Sequence, residues 1–329
     1  MAEPAALPSP PTGVHPWVAA APGTVRFGIS IYPQPADWGE FIDVVQRAEA
    51  LGFDSYWSYD HPTANADCWT ALTALALASE RLRLGTMVGC VYYRGPYLLA
   101  RMAADVDRLS GGRLVLGLGI GDNVPEFTDM GIPFPPAPER QRALEETIAI
   151  VRGLWSGEPF AFEGELFRAS NALPFLPPVQ EPRVPILIAG GGERVTLRQV
   201  ARYADVSNMG SHAWTGGAFT TDDLTRKYAT LARHCDDAGR PAGAVLRSHF
   251  TMPLILVPSA TALDAKLATI PKATLDFCAT SLVAGTPDDA IRYYRALEAA
   301  GVQYVVVNIL DGDWETIDLL GREVMPAFA

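Results

Sequence analysis

The sequence predicts a parallel α/β barrel of eight strands, a (β/α)8 TIM barrel with a long insertion after strand four. Three observations point to it. Eight short apolar runs alternate with amphipathic helical stretches, and near-continuous apolar strands belong to parallel sheets covered on both faces. Polar side chains gather where those runs end, the rim on which such barrels carry their sites. The 329 residues suit one barrel of about 250 residues plus an insertion. A doubly wound open sheet competes. The count of eight and the lack of a G-x-G-x-x-G fingerprint favour the barrel.

Each element has its own signal. Residues 1–24 are rich in Pro and Ala, without a basic start or a continuous apolar stretch. They read as a flexible leader, not a signal peptide, and residues 25–329 as a single barrel domain. VRFGISIY from Val25 is strand one. Phe41, Val44, Val45, Ala48 and Leu51 then share one helical face, and Gly52 stops it. SYWSYD from Ser55 is strand two, LRLGTMVG from Leu82 strand three and RLVLGLGIG from Arg113 strand four, with helices between them. Residues 122–183 are the insertion, with a helix through Leu144, Ile148, Val151 and Trp155, then a hairpin in FAFEGELFRA and a Pro-rich run. VPILIAG is strand five, ADVSNMG strand six, RSHFTMPLILV strand seven and VQYVVVNIL strand eight. Thr286-Pro287-Asp288-Asp289 opens the last long helix, with Thr as N-cap and Pro in the first turn.

Bulk composition narrows the function. Hydrophobic residues make up 49% and charged residues 19%, an ordinary globular balance. The net charge of −11 and the lack of a basic stripe argue against nucleic acid as a partner. No apolar run approaches the ~20 residues of a membrane span. The four cysteines stand apart without C-x-x-C spacing, which fits a reducing, cytoplasmic compartment. A small molecule is the expected partner.

The strand ends supply the candidate site residues. Strand two ends in Asp60-His61. Strand four ends in Gly121-Asp122-Asn123, with Glu126 a turn later. Strand five ends in Gly190-Gly191-Gly192, strand six in Gly210-Ser211-His212 and strand eight in Asn308. Three glycines between a strand and a helix let backbone amides approach an anion at the helix start. A tight turn with nothing bound is the alternative. Thr196 could add a hydroxyl. Asp60 and Asp122 serve either as ligands or as helix caps. His61 ends an aromatic strand beside an acid and faces the predicted cleft. His249 reads as structural, His234 as exposed and His15 as part of the leader. Trp214, Phe219, Phe127 and Trp57 are candidate pocket walls or core. A metal-dependent hydrolase would need several His and carboxylate ligands at strand ends, with His-x-His early; five histidines so placed do not supply them, and no metal ligands are assigned.

Several segments together resemble the bacterial luciferase-like superfamily of flavin and deazaflavin oxidoreductases. They are AEALGFDSYWSYDH (48–61), RLRLGTMVG (81–89), DRLSGGRLVLGLGIG (107–121), the long stretch 131–164, VPILIAGGGERVTLRQVARYAD (184–205) and EVMPAFA (323–329). The Asp-His pair is similar to the branch that uses coenzyme F420, an 8-hydroxy-5-deazaflavin. That resemblance implies His61 beside the reactive carbon, Asp60 helping to hold the ring, and an acid after strand four as proton donor, at Asp122; Glu126, a turn later, is the other candidate to handle the proton. It also implies a cis peptide near Met87-Val88, with Gly89 in the same bulge, and a cofactor site completed by Asn123, Gly190, Gly191, Gly192, Thr196 and Gly210. It further implies hydride transfer to or from a small organic substrate, and a homodimer. The alternative within the superfamily is an FMN-dependent monooxygenase using reduced flavin and O2.

Overall fold

The computed structural model describes residues 7–20, 23–32, 37–171 and 174–329. Eight strands close a ring: β1 (Arg26–Ser30), β2 (Ser55–Ser58), β3 (Arg83–Thr86), β4 (Leu114–Gly119), β5 (Ile186–Ala189), β6 (Val206–Gly210), β7 (Leu246–Thr251) and β8 (Tyr304–Asn308). Each pairs in parallel with its neighbours in chain order, and β8 pairs back to β1 through Arg26–Tyr304 to Ser30–Asn308. Outside lie α1 (Trp38–Ala50), α2 (Cys68–Ala78), α3 (Pro96–Leu109), α4 (Ala137–Leu154), α5 (Thr196–Tyr203), α6 (Thr221–Asp237), α7 (Pro287–Ala299) and α8 (Trp314–Leu319). Thr286 caps α7 as its sequence predicts: its hydroxyl accepts from Asp289 N, and Asp289 Oδ2 accepts from Thr286 N at 2.9 Å. The expected hairpin forms in the insertion, Phe160–Glu163 against Arg168–Asn171.

The ring is filled, not hollow. Trp57, Tyr304, Val115, Leu187, Val206 and Leu246 pack inside it. Trp57 is fully buried, so it is interior packing and not a pocket wall. It fits because β1 and β3 carry Gly28 and Gly85, where a Cβ would run into its indole. Phe127 is likewise core.

Two features differ from the sequence reading. Part of the leader is ordered: Pro16–Ala19 is a short helix, and Trp17, 4% exposed, joins the barrel interior from the amino-terminal side. Its indole N–H donates to Asp54 at 3.0 Å, and the guanidinium groups of Arg26 and Arg83 lie over its ring at 5.3 and 5.2 Å. Strand seven is also shorter than RSHFTMPLILV. It breaks at Met252-Pro253, because proline has no N–H to continue a ladder. Leu254–Leu256 pairs with Val283–Gly285 instead, outside the ring.

Candidate active site

The carboxyl ends of the strands enclose a cavity of about 330 Å³. The sequence-predicted residues His61, Asp60, Met87, Val88, Asp122, Glu126, Gly190, Gly191, Gly192 and Thr196 all line it. Gly89, Asn123 and Gly210 do not. Gly89 stands behind the wall near Gly117 O and Asp60 Oδ2, and Asn123 precedes the short helix Val124–Asp129 without a side-chain cap bond. At Gly210 a Cβ would strike Phe250 O, so its bareness serves β6–β7 packing.

His61 follows β2, and the helix Val124–Asp129 follows β4; together they set a short polar chain into the wall. A carboxylate only accepts, so His61 donates its Nδ1–H to Glu126 Oε1 at 2.8 Å, while Tyr93 donates its hydroxyl to Oε2 at 2.5 Å. Glu126 is 2% exposed and the His61 side chain 31%. The carboxylate is thus fixed at depth and the imidazole reaches the cavity. Nε2 of His61 makes no hydrogen bond to the described residues, and in the neutral imidazole Nδ1–H donation leaves it an acceptor. Glu126 pushes the Tyr93 phenol up, after burial, which is the larger cause.

Asp60 is the second buried acid, 5% exposed. Arg94 Nη1 donates to both its oxygens at 2.8 Å while Nη2 donates to Asp67 Oδ2 at 2.5 Å, and Cys90 N donates to Asp60 Oδ2 at 3.3 Å. Asp60 therefore caps no helix: it anchors the bulge between β3 and Gly89–Cys90. That bulge holds the Met87–Val88 cis peptide. It seats against β4 because Gly117 and Gly119 lack side chains where Thr86 O and Val88 Cγ2 approach.

The glycine run opens the wall after β5. Gly190 has φ 121°, a backbone state that L side chains rarely adopt, and its N–H is used by Asn208 O at 2.9 Å. Among the described residues, no protein acceptor takes the N–H groups of Gly191 and Gly192. Lys227 of α6, buried, donates to Gly191 O at 2.6 Å, placing a positive charge behind the turn. Gln141 reaches Thr196 Oγ1 at 3.4 Å.

Asp122 lines the cavity. The surrounding walls desolvate its carboxyl and raise it above the usual range; Glu126 adds to this, while His61 and Arg140 oppose it. Trp214 lines the cavity, whereas Phe219, 51% exposed, does not. His249 is buried in mid-strand and pushed down to about 4 by desolvation. His234 is half-buried with its Nε2 2.8 Å from Glu193 O, not exposed as expected. Tyr93, Arg94 and Lys227 hold the expected site residues Glu126, Asp60 and Gly191 but are not singled out by the sequence; the scarcity of lysine is the one signal for Lys227. Among the described residues, no three His, Cys, Asp or Glu side chains converge as metal ligands do.

Comparison with known proteins fits this geometry. Over 92% of this chain and 99% of its own length, the 5,10-methylenetetrahydromethanopterin reductase of Archaeoglobus fulgidus is 28% identical. The F420-dependent glucose-6-phosphate dehydrogenase of Microbacterium testaceum is 34% identical over 55% of each chain, so this chain spans about half the length of that relative. The fold is that of the coenzyme F420 dependent tetrahydromethanopterin reductase from Methanopyrus kandleri (TM-score 0.76, 24% identity, 93% of this chain and 100% of that one). It is equally that of a monooxygenase from Streptomyces bottropensis (TM-score 0.77, 20% identity, 93% and 100%). The luciferase-like monooxygenase family matches residues 23–249, and the chain belongs to that family.

Proposed function

We propose that this protein is an F420-dependent oxidoreductase that transfers hydride between the deazaflavin and a small organic substrate. The observation that carries it is the His61–Glu126–Tyr93 chain, set in one cavity with the Met87–Val88 bulge and the bare glycine turn. The relatives named as F420-dependent glucose-6-phosphate dehydrogenases support it.

The residues present fit such a cofactor. Gly191 and Gly192 offer unclaimed N–H groups before α5, with Lys227 behind them, which suits a phosphate. Met87 and Val88 give an apolar shelf for a flat ring. When bound, the deazaflavin supplies the carbon that gives or takes the hydride.

The chain's own groups handle the proton. Glu126 fixes the imidazole as the Nδ1–H tautomer, so Nε2 is free to take a proton from a substrate hydroxyl, or to return one in the other direction. Tyr93 holds Glu126 from its far side. Asp122, whose carboxyl is raised above its ordinary value by burial, stands at the mouth of the cavity. Oxidation of reduced F420 against a panel of carbonyl and alkene acceptors tests the reading. His61→Ala is expected to lower turnover about 100-fold or more while F420 binding and melting temperature hold. Full turnover in that variant would remove His61 from the mechanism.

An FMN-dependent monooxygenase is the second reading, favoured by the family's monooxygenases and by the fold shared with several of them. A homodimer fits as well. α2 is apolar on nearly all sides, and Leu77 on it and Leu98 on α3 are 71% and 61% exposed. Four buried, unpaired cysteines support a reducing, cytoplasmic compartment.

A further inference from the structure

We infer that the substrate is a neutral, largely apolar organic molecule and not a phosphorylated one; this rests on the F420 reading above. The lining carries three carboxylates, Asp60, Asp122 and Glu126, and the imidazole of His61, but no lysine or arginine among the described residues. The nearby cations are turned elsewhere. Arg94 is spent on Asp60 and Asp67, Arg140 donates to Gly121 O and lies over Phe134, and Lys227 sits behind the glycine turn. Recognition of a phosphate ester draws on arginine, lysine or unclaimed amides. The unclaimed amides here are those assigned to the cofactor. A second dianion would meet carboxylates without a counter-ion, and burying it unpaired is costly.

The mouth of the cavity carries the opposite chemistry. Trp214 and Phe277 line it with ring centroids 5.0 Å apart, yet remain 57% and 44% exposed. They are held in place despite that exposure. His212 Nδ1 accepts from Trp214 N at 3.2 Å, its Nε2–H donates to Phe277 O at 3.1 Å, and its ring lies 4.8 Å from Phe277. Tyr32 and Tyr59 stack at 4.3 Å in the same lining. Fixed, solvent-facing aromatic rings at a pocket mouth recognise apolar or aromatic surface.

Calorimetric titration of the protein with 2-naphthol and with glucose 6-phosphate, in the presence and absence of F420, tests this. With F420 present, 2-naphthol is expected to bind at least about tenfold more tightly than glucose 6-phosphate. Phe277→Ala and Trp214→Ala should each weaken 2-naphthol about fivefold to tenfold. Both side chains are largely exposed, so melting temperature should stay within a few degrees. Equal or tighter binding of glucose 6-phosphate, or 2-naphthol affinity indifferent to both truncations, overturns the inference. The effect of Phe277→Ala on 2-naphthol is read with and without F420. A wild-type protein that fails to bind F420 therefore counts against the reading above, while the truncation effect still decides this one.

Discussion

Gly191→Ala puts the glycine turn under direct test. A Cβ at residue 191 would lie 3.0 Å from Lys227 Nζ and 3.2 Å from the Gly216 carbonyl carbon, and closer still to the Gly216 oxygen. Lysine could swing aside, but the Gly216 carbonyl is backbone, so the two loops must part. Overpacking of this kind costs about 1–3 kcal/mol. The movement shifts an N–H meant for the cofactor's phosphate, and a hydrogen bond to a charged group is worth about 1.5–3 kcal/mol. Losing one such bond raises the F420 Kd roughly 10- to 150-fold. Gly192→Ala is the matched control. Its Cβ would meet Thr196 Oγ1 at 3.0 Å, and that side chain can rotate, so a smaller rise is expected. Fluorescence titration of F420 measures both. A Gly191→Ala protein that stays folded with Kd within twofold of wild type, or the reverse order of the two variants, would refute the reasoning.

Two other perturbations address the catalytic chain and the stability of the barrel. Glu126→Gln keeps the shape of the side chain but loses the carboxylate that takes His61 Nδ1–H; kcat is expected to fall about 100-fold with the F420 Kd changed less than threefold, in steady-state and binding assays. His249, fully buried with Nε2 unpartnered, is depressed to about 4 from 6.5, so the unfolded chain binds more protons between those values. Stability from this group is complete above pH 6.5 and lost as pH falls toward 4. At pH 5 the loss is about 2 kcal/mol relative to pH 8, and His249→Phe should flatten that part of a urea-melt profile.

The sequence carried the ring better than its ends. Buried parallel strands are near-continuous apolar runs, so β1 through β6 and β8 stand out, as does the capped start of α7. The strand seven expected from sequence is too long because Pro253 sits inside an apolar run whose direction changes there. Trp17 lies in Pro- and Ala-rich surroundings that read as loose; its burial rests on residues distant in sequence, Asp54, Arg26 and Arg83. At the site, His61, Glu126 and the glycine run were legible because chemistry at strand ends is expected in such barrels. Tyr93 and Arg94 were not, since they lie in a loop and act only through long-range partners, Glu126 and Asp60. Gly210 reads from the sequence as a ligand contact, whereas its lack of a side chain answers to Phe250 O. Bareness alone does not distinguish room for a ligand from room for a neighbouring strand.

Equilibrium binding of F420 against FMN to the purified protein tests the central assignment most directly. The account predicts saturable F420 binding at least about tenfold tighter than FMN binding. Tighter FMN binding, or no F420 binding by folded protein, would contradict it.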